Sequence, residues 1–355
     1  MHLDHGEYPA EYKQYIGKKS LFCFTALIAL LFALVISLSL GAANLPVIDV
    51  LRELTGFETS KRTAAILWNI RVPQALVSII SGAGLAVAGC VMQSILRNPL
   101  GSPFTLGISH AAAFGAALSI MVLGAGTMTS SNIGAVHINN PFLSTGAAFS
   151  FSILASFLII AVTRTRGATP EIMVLSGVAL GAFFTAATML LQFFADDVQL
   201  AAMVFWTFGD TARASWAELL FITVVVVSCT IYFLLNSWSY NAIDAGDETA
   251  KGLGIHVSRT RIIGMLLSSM MTAAIISFLG IIGFIGLVVP HMVRAIIGSD
   301  HRFLIPATFL VGGFLLLVSD TAARLILSPH ILPVSVLTAF LGAPAFFWLI
   351  LRKRN

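Results

Sequence analysis

The sequence predicts an all-α integral membrane protein of about ten transmembrane helices, with both termini on the cytoplasmic side. Three observations lead there. Apolar residues make up 57% of the 355-residue chain and charged residues only 10%, against about 25% charge in a soluble domain. A globule of this size cannot hide that much apolar surface, so the bilayer must act as solvent. The few charges fall between long uncharged runs. Finally, the basic residues divide unevenly once those runs are threaded through a membrane.

A helix needs about 20 apolar residues to cross the hydrocarbon core. The first such run is Leu21–Leu40, behind a polar head carrying Lys13, Lys18 and Lys19. It is too long for a signal-peptide core and lacks an A-x-A end, so it reads as a retained span. Residues 1–19 form a cytoplasmic segment and 20–355 a single ten-helix domain. Asn44–Arg71 reads as an amphipathic external segment with Arg52, Glu53, Glu58, Lys61 and Arg62. Span two lies between Arg71 and Arg97. No charge occurs from Asn98 to Thr163, and GAGTMTSSNIGAVHINNP (124–141) divides that run into spans three and four. Span five covers 172–195. VQLAAMVFWTFGD reads as a short interfacial helix with Trp206 as its anchor. Span six covers 216–236. The uncharged run 262–293 is long for one span, and Gly280, Gly283, Gly286 and Pro290 predict two spans with a shortened second member. Spans nine and ten cover 303–323 and 333–351.

This threading puts Lys13, Lys18, Lys19, Arg97, Arg164, Arg166, Lys251, Arg259, Arg261, Arg294, Arg302, Arg352, Lys353 and Arg354 on one side. The other side holds Arg52, Lys61, Arg62, Arg71, Arg213 and Arg324. Basic residues collect on the cytoplasmic face, which fixes the orientation. The net charge of +4 is too modest to suggest a nucleic-acid partner.

Little in this sequence supports bond chemistry. Cys23, Cys90 and Cys229 lie in apolar runs without CxxC spacing and read as small hydrophobes. There is no metal-ligand spacing and no Walker A pattern. His110 and His291 read as packed or interfacial side chains rather than ligands. Charges within spans are the default functional candidates, and the clearest is Asp320 with Arg324, which reads first as a local i,i+4 ion pair. With no chain of buried acids or histidines, a proton-coupled carrier is disfavoured. Two helices carry small-residue stripes. Gly82, Ala86, Gly89 and Cys90 make span two a central, closely packed helix. Gly177, Gly181, Thr185, Thr188 and Gln192 share one face of span five. That face reads either as a packing groove or as the wall of a water-accessible path.

The densest charge lies in residues 237–262, where Asp244, Asp247, Glu248, Lys251, Arg259 and Arg261 occur between two apolar runs. Asp247 and Glu248 suit a helix N-terminus, Lys251 its last turn, and Gly252-Leu253-Gly254 its stop. A short capped helix projecting from a membrane protein is a docking element.

The segment AGDETAKGLGI (245–255) resembles the cytoplasmic coupling loop of ABC importer permeases for iron-siderophores, haem and vitamin B12. NIRVPQALVSIISGAGLAVAGCVMQSILRNPLGSPFTLGIS (69–109), GIIGFIGLVVPHMVR with GSDHR (280–302) and LPVSVLTAFLGAPAFFWLILRK (332–353) match that family in order. The resemblance implies a permease of the prokaryotic plasma (inner) membrane that performs no bond chemistry. It implies a second permease copy or homologue, two cytoplasmic ATPase subunits that bind the ATP, and an extracytoplasmic binding protein. No cofactor or metal is expected in this chain itself. The ATPase contact is implied at Gly246, Asp247, Glu248, Ala250, Lys251, Gly252, Leu253 and Gly254. Docking of the binding protein is implied at Arg71 and Arg324, with Gln74 where the family often has a second arginine. The pathway is implied along span five, with a constriction at Asn98, Leu100 and Thr169. The cargo expected is a bulky metal chelate, first a ferric siderophore, with haem, cobalamin or a molybdate-type oxyanion as alternatives.

Overall fold

Helices α1 (Ala10–Ser39), α2 (Val47–Leu54) and α3 (Lys61–Ile66) lead through a π-helical turn, Leu67–Arg71, into α4 (Val72–Ile95). This computed structural model describes residues 10–41, 44–57, 59–124, 126–128, 136–138, 141–327, 330 and 332–351. After α4 come α5 (Ile108–Val122), strands β1 (Gly126–Met128) and β2 (Val136–Ile138), α6 (Pro141–Arg166) and α7 (Pro170–Phe194). Next are α8 (Asp197–Thr207), a 3-10 turn at Thr211–Arg213, α9 (Trp216–Leu235), α10 (Ser237–Asp244) and α11 (Asp247–Gly252). The chain closes with α12 (Val257–Leu279), α13 (Ile285–Ile297), α14 (His301–Ile326) and α15 (Val334–Leu351).

Among the described residues, seven helical stretches are long and apolar enough to cross a membrane: Glu11–Ser39, Lys61–Ile95, Phe142–Arg166, Pro170–Phe194, Trp216–Leu235, Val257–Leu279 and His301–Ile326. Three shorter apolar helices accompany them, at Ile108–Val122, Ile285–Ile297 and Val334–Pro344. The run 262–293 divides as expected, with α13 the short member at 13 residues. At 1.5 Å per residue α13 rises only about 20 Å, less than the ~30 Å hydrocarbon core.

The helix boundaries follow local chemistry. Thr169 caps α7 by accepting from Ile172 N. Asp196 and Gln199 form a reciprocal capping box on α8, as Ser215 and Glu218 do on α9. Gly280, at φ +79°, ends α12 in a conformation that glycine adopts without strain.

Helix α4 is central. Of the apolar window in Lys61–Ile95, 83% is buried, against 17% in Pro170–Phe194. Its small-residue stripe makes this possible. A Cβ on Gly82 would lie 2.4 Å from the Gly312 carbonyl oxygen, and one on Gly89 would lie 1.7 Å from that of Gly286. The backbones of α4, α13 and α14 therefore cross in near contact. Gly89→Ala is expected to cost about 3 kcal/mol, the upper end of overpacking penalties, and to lower the thermal midpoint in detergent. Gly146→Ala on α6, where a Cβ meets nothing within 4 Å, is the control and should be neutral or slightly stabilising.

The chain is all-helical as expected, apart from a short antiparallel β1–β2 ribbon that pairs Thr127 with His137 inside the 124–141 break. Helix α1 begins at Ala10 and carries Lys13, Lys18 and Lys19; residues 1–9 lie outside the described residues. One expectation needs correction. Trp206 is not an interfacial anchor. It is buried with Ala112, Ala116, Met203 and Ile276, because α8 turns its C-terminal end inward. Trp68, Trp216 and Trp238 are exposed instead, and Trp216 Nε1 donates to the Trp68 carbonyl at 2.9 Å. The basic tail Arg352, Lys353 and Arg354, and Glu58, lie outside the described residues.

Candidate functional site

The charge-rich stretch 237–262 is two short helices joined by a glycine turn, followed by the first residues of α12. Helix α10 ends at Asp244, Gly246 takes φ +124°, α11 runs Asp247–Gly252, and Gly254 takes φ +80°. The helix start is as expected. The stop falls later than Gly252, which is still helical, and the left-handed residue is Gly254.

The two acids that open α11 point to different environments. Glu248 has 88% of its side chain exposed and, among the described residues, pairs only with Lys251, at 2.8 Å. Asp247 turns inward and accepts two bonds from Arg261, Nη1 to Oδ2 at 2.7 Å and Nη2 to Oδ1 at 2.8 Å. Arg97 approaches the same carboxylate at 3.9 Å. The Arg261 side chain is 3% exposed. Its Nε donates to the Ile95 carbonyl at 2.8 Å and its Nη1 to the Ala168 carbonyl at 3.3 Å. One guanidinium on the second turn of α12 thus joins the end of α4, the α6–α7 turn and the start of α11. Ala250 is fully buried with Ala242, Ile243 and Val257, while Leu253 is exposed. The unit therefore has an inner face of Asp247 and Ala250 and an outer face of Glu248, Lys251 and Leu253.

Helix α10 is held just as firmly. Ser94 Oγ donates to Asp244 Oδ1 at 2.7 Å. Asn241 donates to Asp300 Oδ1 at 3.0 Å and accepts from His301 N at 2.8 Å. Burial opposes the charge on Asp300, but hydrogen bonds from Arg302 and Asn241 prevail and hold its carboxyl at about 2.

Asp247 lies below the usual carboxylate range, first through its hydrogen bonds from Arg261 and then through the charges of Arg261 and Arg97. A depressed folded-state pKa contributes stability that is complete above the unfolded value, near 4, and is lost as pH falls through the folded value. The gap in thermal midpoint between wild type and Asp247→Asn should therefore be flat above about pH 5 and close only below the ordinary carboxylate range. A pH series of melts in detergent checks it.

The described residues account for nearly the whole span matched by a known pattern: the FecCD transport family matches residues 29–352. The chain belongs to the FecCD transport family. A protein of Methanocaldococcus jannaschii named as an ABC transporter permease is 50% identical over 344 residues, covering 97% of this chain and 98% of that one. The hemin transport system permease protein HmuU of Yersinia pestis is 36% identical over 330 residues, covering 93% and 96%. Among solved structures, an inward-facing metal-chelate type ABC transporter superposes with a TM-score of 0.81 at 30% identity, covering 93% of this chain and 99% of that one. The FecCD chain is thus an ABC-importer permease, a multi-pass protein of the plasma (inner) membrane.

The other expected positions of the FecCD chain separate into two places. Asn98 and Leu100 form a tight turn after α4, with Asn98 Oδ1 accepting from Leu100 N at 2.9 Å and Leu100 exposed. Thr169 sits beside Ala168, so both segments adjoin the Arg261 clamp. On α7, Gly177 and Gly181 pack against the backbone of Leu106 and Gly107. Thr185 and Thr188 bond the carbonyls of Gly181 and Phe184 in their own helix, each at 2.8 Å, and Gln192 is half-buried. The same face borders an open groove of about 610 Å³ lined by Phe104, His110, Gly181, Thr185 and Met189. Gly177 and Gly181 thus serve in packing and, with Thr185, also line the groove, whereas Thr188 and Gln192 are not among its lining residues.

At the opposite end of the FecCD bundle, neither arginine expected to dock a partner is freely exposed. Arg71 is 5% exposed and donates to the Leu38 carbonyl at 2.6 Å. The Arg324 side chain is 11% exposed and pairs with Asp320 at 3.1 Å. Gln74 turns inward and donates to Asp320 at 3.2 Å, and Thr211 donates to the same carboxylate. Arg324 also reaches Ser37 Oγ at 2.8 Å. Asp320 is thus the centre of a buried network across α1, α4, the 3-10 turn and α14.

Sequence reasoning missed Arg261 and Asp320 as hubs. In the sequence Arg261 is one charge among six between two apolar runs. Its signal is position: it is a cation inside the second turn of an apolar helix, where burial demands partners.

Proposed function

We propose that this chain is the transmembrane subunit of an ATP-driven importer that carries a bulky metal chelate, foremost a ferric siderophore, into the cytoplasm. The observation that carries the reading is the Arg261 clamp. A partner pressing on Glu248, Lys251 and Leu253 of α11 would move the ends of α4, α7 and α12 together. A flexible connector could not transmit that push.

In this reading the ten apolar helices cross the membrane with both termini in the cytoplasm, and two ATPase subunits grip the α10–α11 units of a permease pair. ATP closure tilts the spans between outward- and inward-facing states. The exposed face of α7, including Leu175, Val178, Phe183 and Met189, turns toward the second copy and the path between them. The constriction lies at Asn98, Leu100 and Thr169. The binding protein delivers cargo at the Arg71–Arg324 end. The hemin named for HmuU supports an iron-bearing cargo as a class, and within and beyond that class haem, cobalamin and molybdate compete with the siderophore.

The test is uptake into proteoliposomes holding the permease with its ATPase and binding protein. A ferric siderophore should accumulate only with ATP inside the nucleotide-accessible compartment. Uptake of molybdate or cobalamin in its place would reject the siderophore, and ATP-independent uptake would reject the coupling scheme.

A further inference from the structure

A groove of about 430 Å³ runs between α1 and the C-terminal end of α13. Its mouth carries Tyr15, Lys18 and Lys19, and its walls are Phe22, Ile296 and Ile297 among others. This is the point on α1 where the polar head gives way to the apolar run, so the lysines sit at headgroup depth. Lys19 is only 3% exposed. Its ammonium donates to Tyr15 Oη at 2.5 Å and lies 3.9 Å from the Tyr15 ring centroid and 5.3 Å from that of Phe303. Among the described residues no carboxylate comes within ion-pair distance of it. Asp300, the acid at the start of α14, is already bonded to Arg302 and Asn241. An ammonium has three donors, and burying one without an anion is costly. Aromatic rings offset part of that cost.

We propose that this groove binds one anionic membrane phospholipid. The headgroup phosphate meets Lys19 and Lys18, and the upper acyl chain lies along Phe22, Ile296 and Ile297. Two features favour a lipid over a soluble anion. The walls below the lysines are apolar, and Ile296 and Leu21 are exposed in the direction that the bilayer covers. A basic mouth above an apolar slot between membrane helices matches an anionic lipid in both charge and shape.

The test uses the full chain purified in neutral detergent, with bound lipid counted by native mass spectrometry and thermal midpoints recorded in parallel. Phosphatidylglycerol should be retained and should raise the midpoint, while phosphatidylcholine with the same acyl chains should not. Lys19→Gln should weaken phosphatidylglycerol retention roughly fivefold, as expected for one interfacial lysine, and Lys19→Arg should keep it. Because Lys19 is buried, Ile296→Trp provides a second variant: it narrows the groove from an exposed position and should also reduce retention. If Lys19→Gln does not fold, Ile296→Trp decides. The proposal is overturned if phosphatidylcholine binds equally, if the deciding variants retain phosphatidylglycerol like wild type, or if inorganic phosphate alone reproduces the midpoint shift.

Discussion

Asp247→Ala is expected to damage the protein more than Arg261→Met, although the two residues form one ion pair. Losing Asp247 leaves a guanidinium that is 3% exposed without an anion, and a buried charge stripped of its partner costs about 3–5 kcal/mol. Losing Arg261 leaves a carboxylate that is 31% exposed, open to water and to Arg97, while methionine fills part of the vacated volume. Arg261→Met still gives up the bonds to Ile95 and Ala168, each worth about 1–3 kcal/mol for a charged donor. Thermal melts of both single variants and the double variant would give a coupling energy of about 1–3 kcal/mol. Equal losses in the two singles, with no coupling, would mean the clamp contributes nothing specific. Glu248→Lys should behave differently. With 88% of its side chain exposed, it should leave the melt unchanged. Under the proposed coupling it should lower transport per ATP in reconstituted vesicles. Replacing both acids together would merge a folding effect with a partner effect, so the single changes are the informative ones.

Asp320→Ala is expected to be the most destabilising change at the other end, by about 3–5 kcal/mol. It would leave Arg324 without its carboxylate and Gln74 and Thr211 without their acceptor. Asp320→Asn keeps the two neutral donors partly satisfied and should cost less. Thermal midpoints order the two, and an Asp320→Ala variant as stable as wild type would refute the network. The same geometry changes the meaning of Arg71→Glu. Arg71 faces the Leu38 carbonyl, so a carboxylate there meets an acceptor and destabilises the fold. Weakened docking of a binding protein at low salt, where screening is least, counts as an interface effect only if the melt of that variant is intact.

Much of the architecture was legible because the bilayer enforces it. Uncharged runs place the spans at Leu21–Leu40 and beyond, and glycines in 280–286 mark the break before the short α13. The stripe Gly82–Gly89 correctly points to a central helix, because only small residues allow backbones to touch at Gly286 and Gly312. Trp206 shows where that logic stops. Its aromatic character is compatible with either an interface or a core, and only the inward turn of α8 selects the core.

The membrane-spanning class, the positions of the apolar helices, the central place of α4 and the short helix at Asp247–Gly252 can all be read from the residues in order. These follow from hydropathy, helix period and capping, which are local properties. That Asp247 faces inward while Glu248 faces out, that Arg261 ties together three separate segments, and that Asp320 gathers Gln74, Thr211 and Arg324 follows from packing between distant segments. Those partners lie up to 246 residues apart in sequence. A charge in the chain states only that it needs a partner; which partner it finds depends on which backbones are brought within about 3 Å.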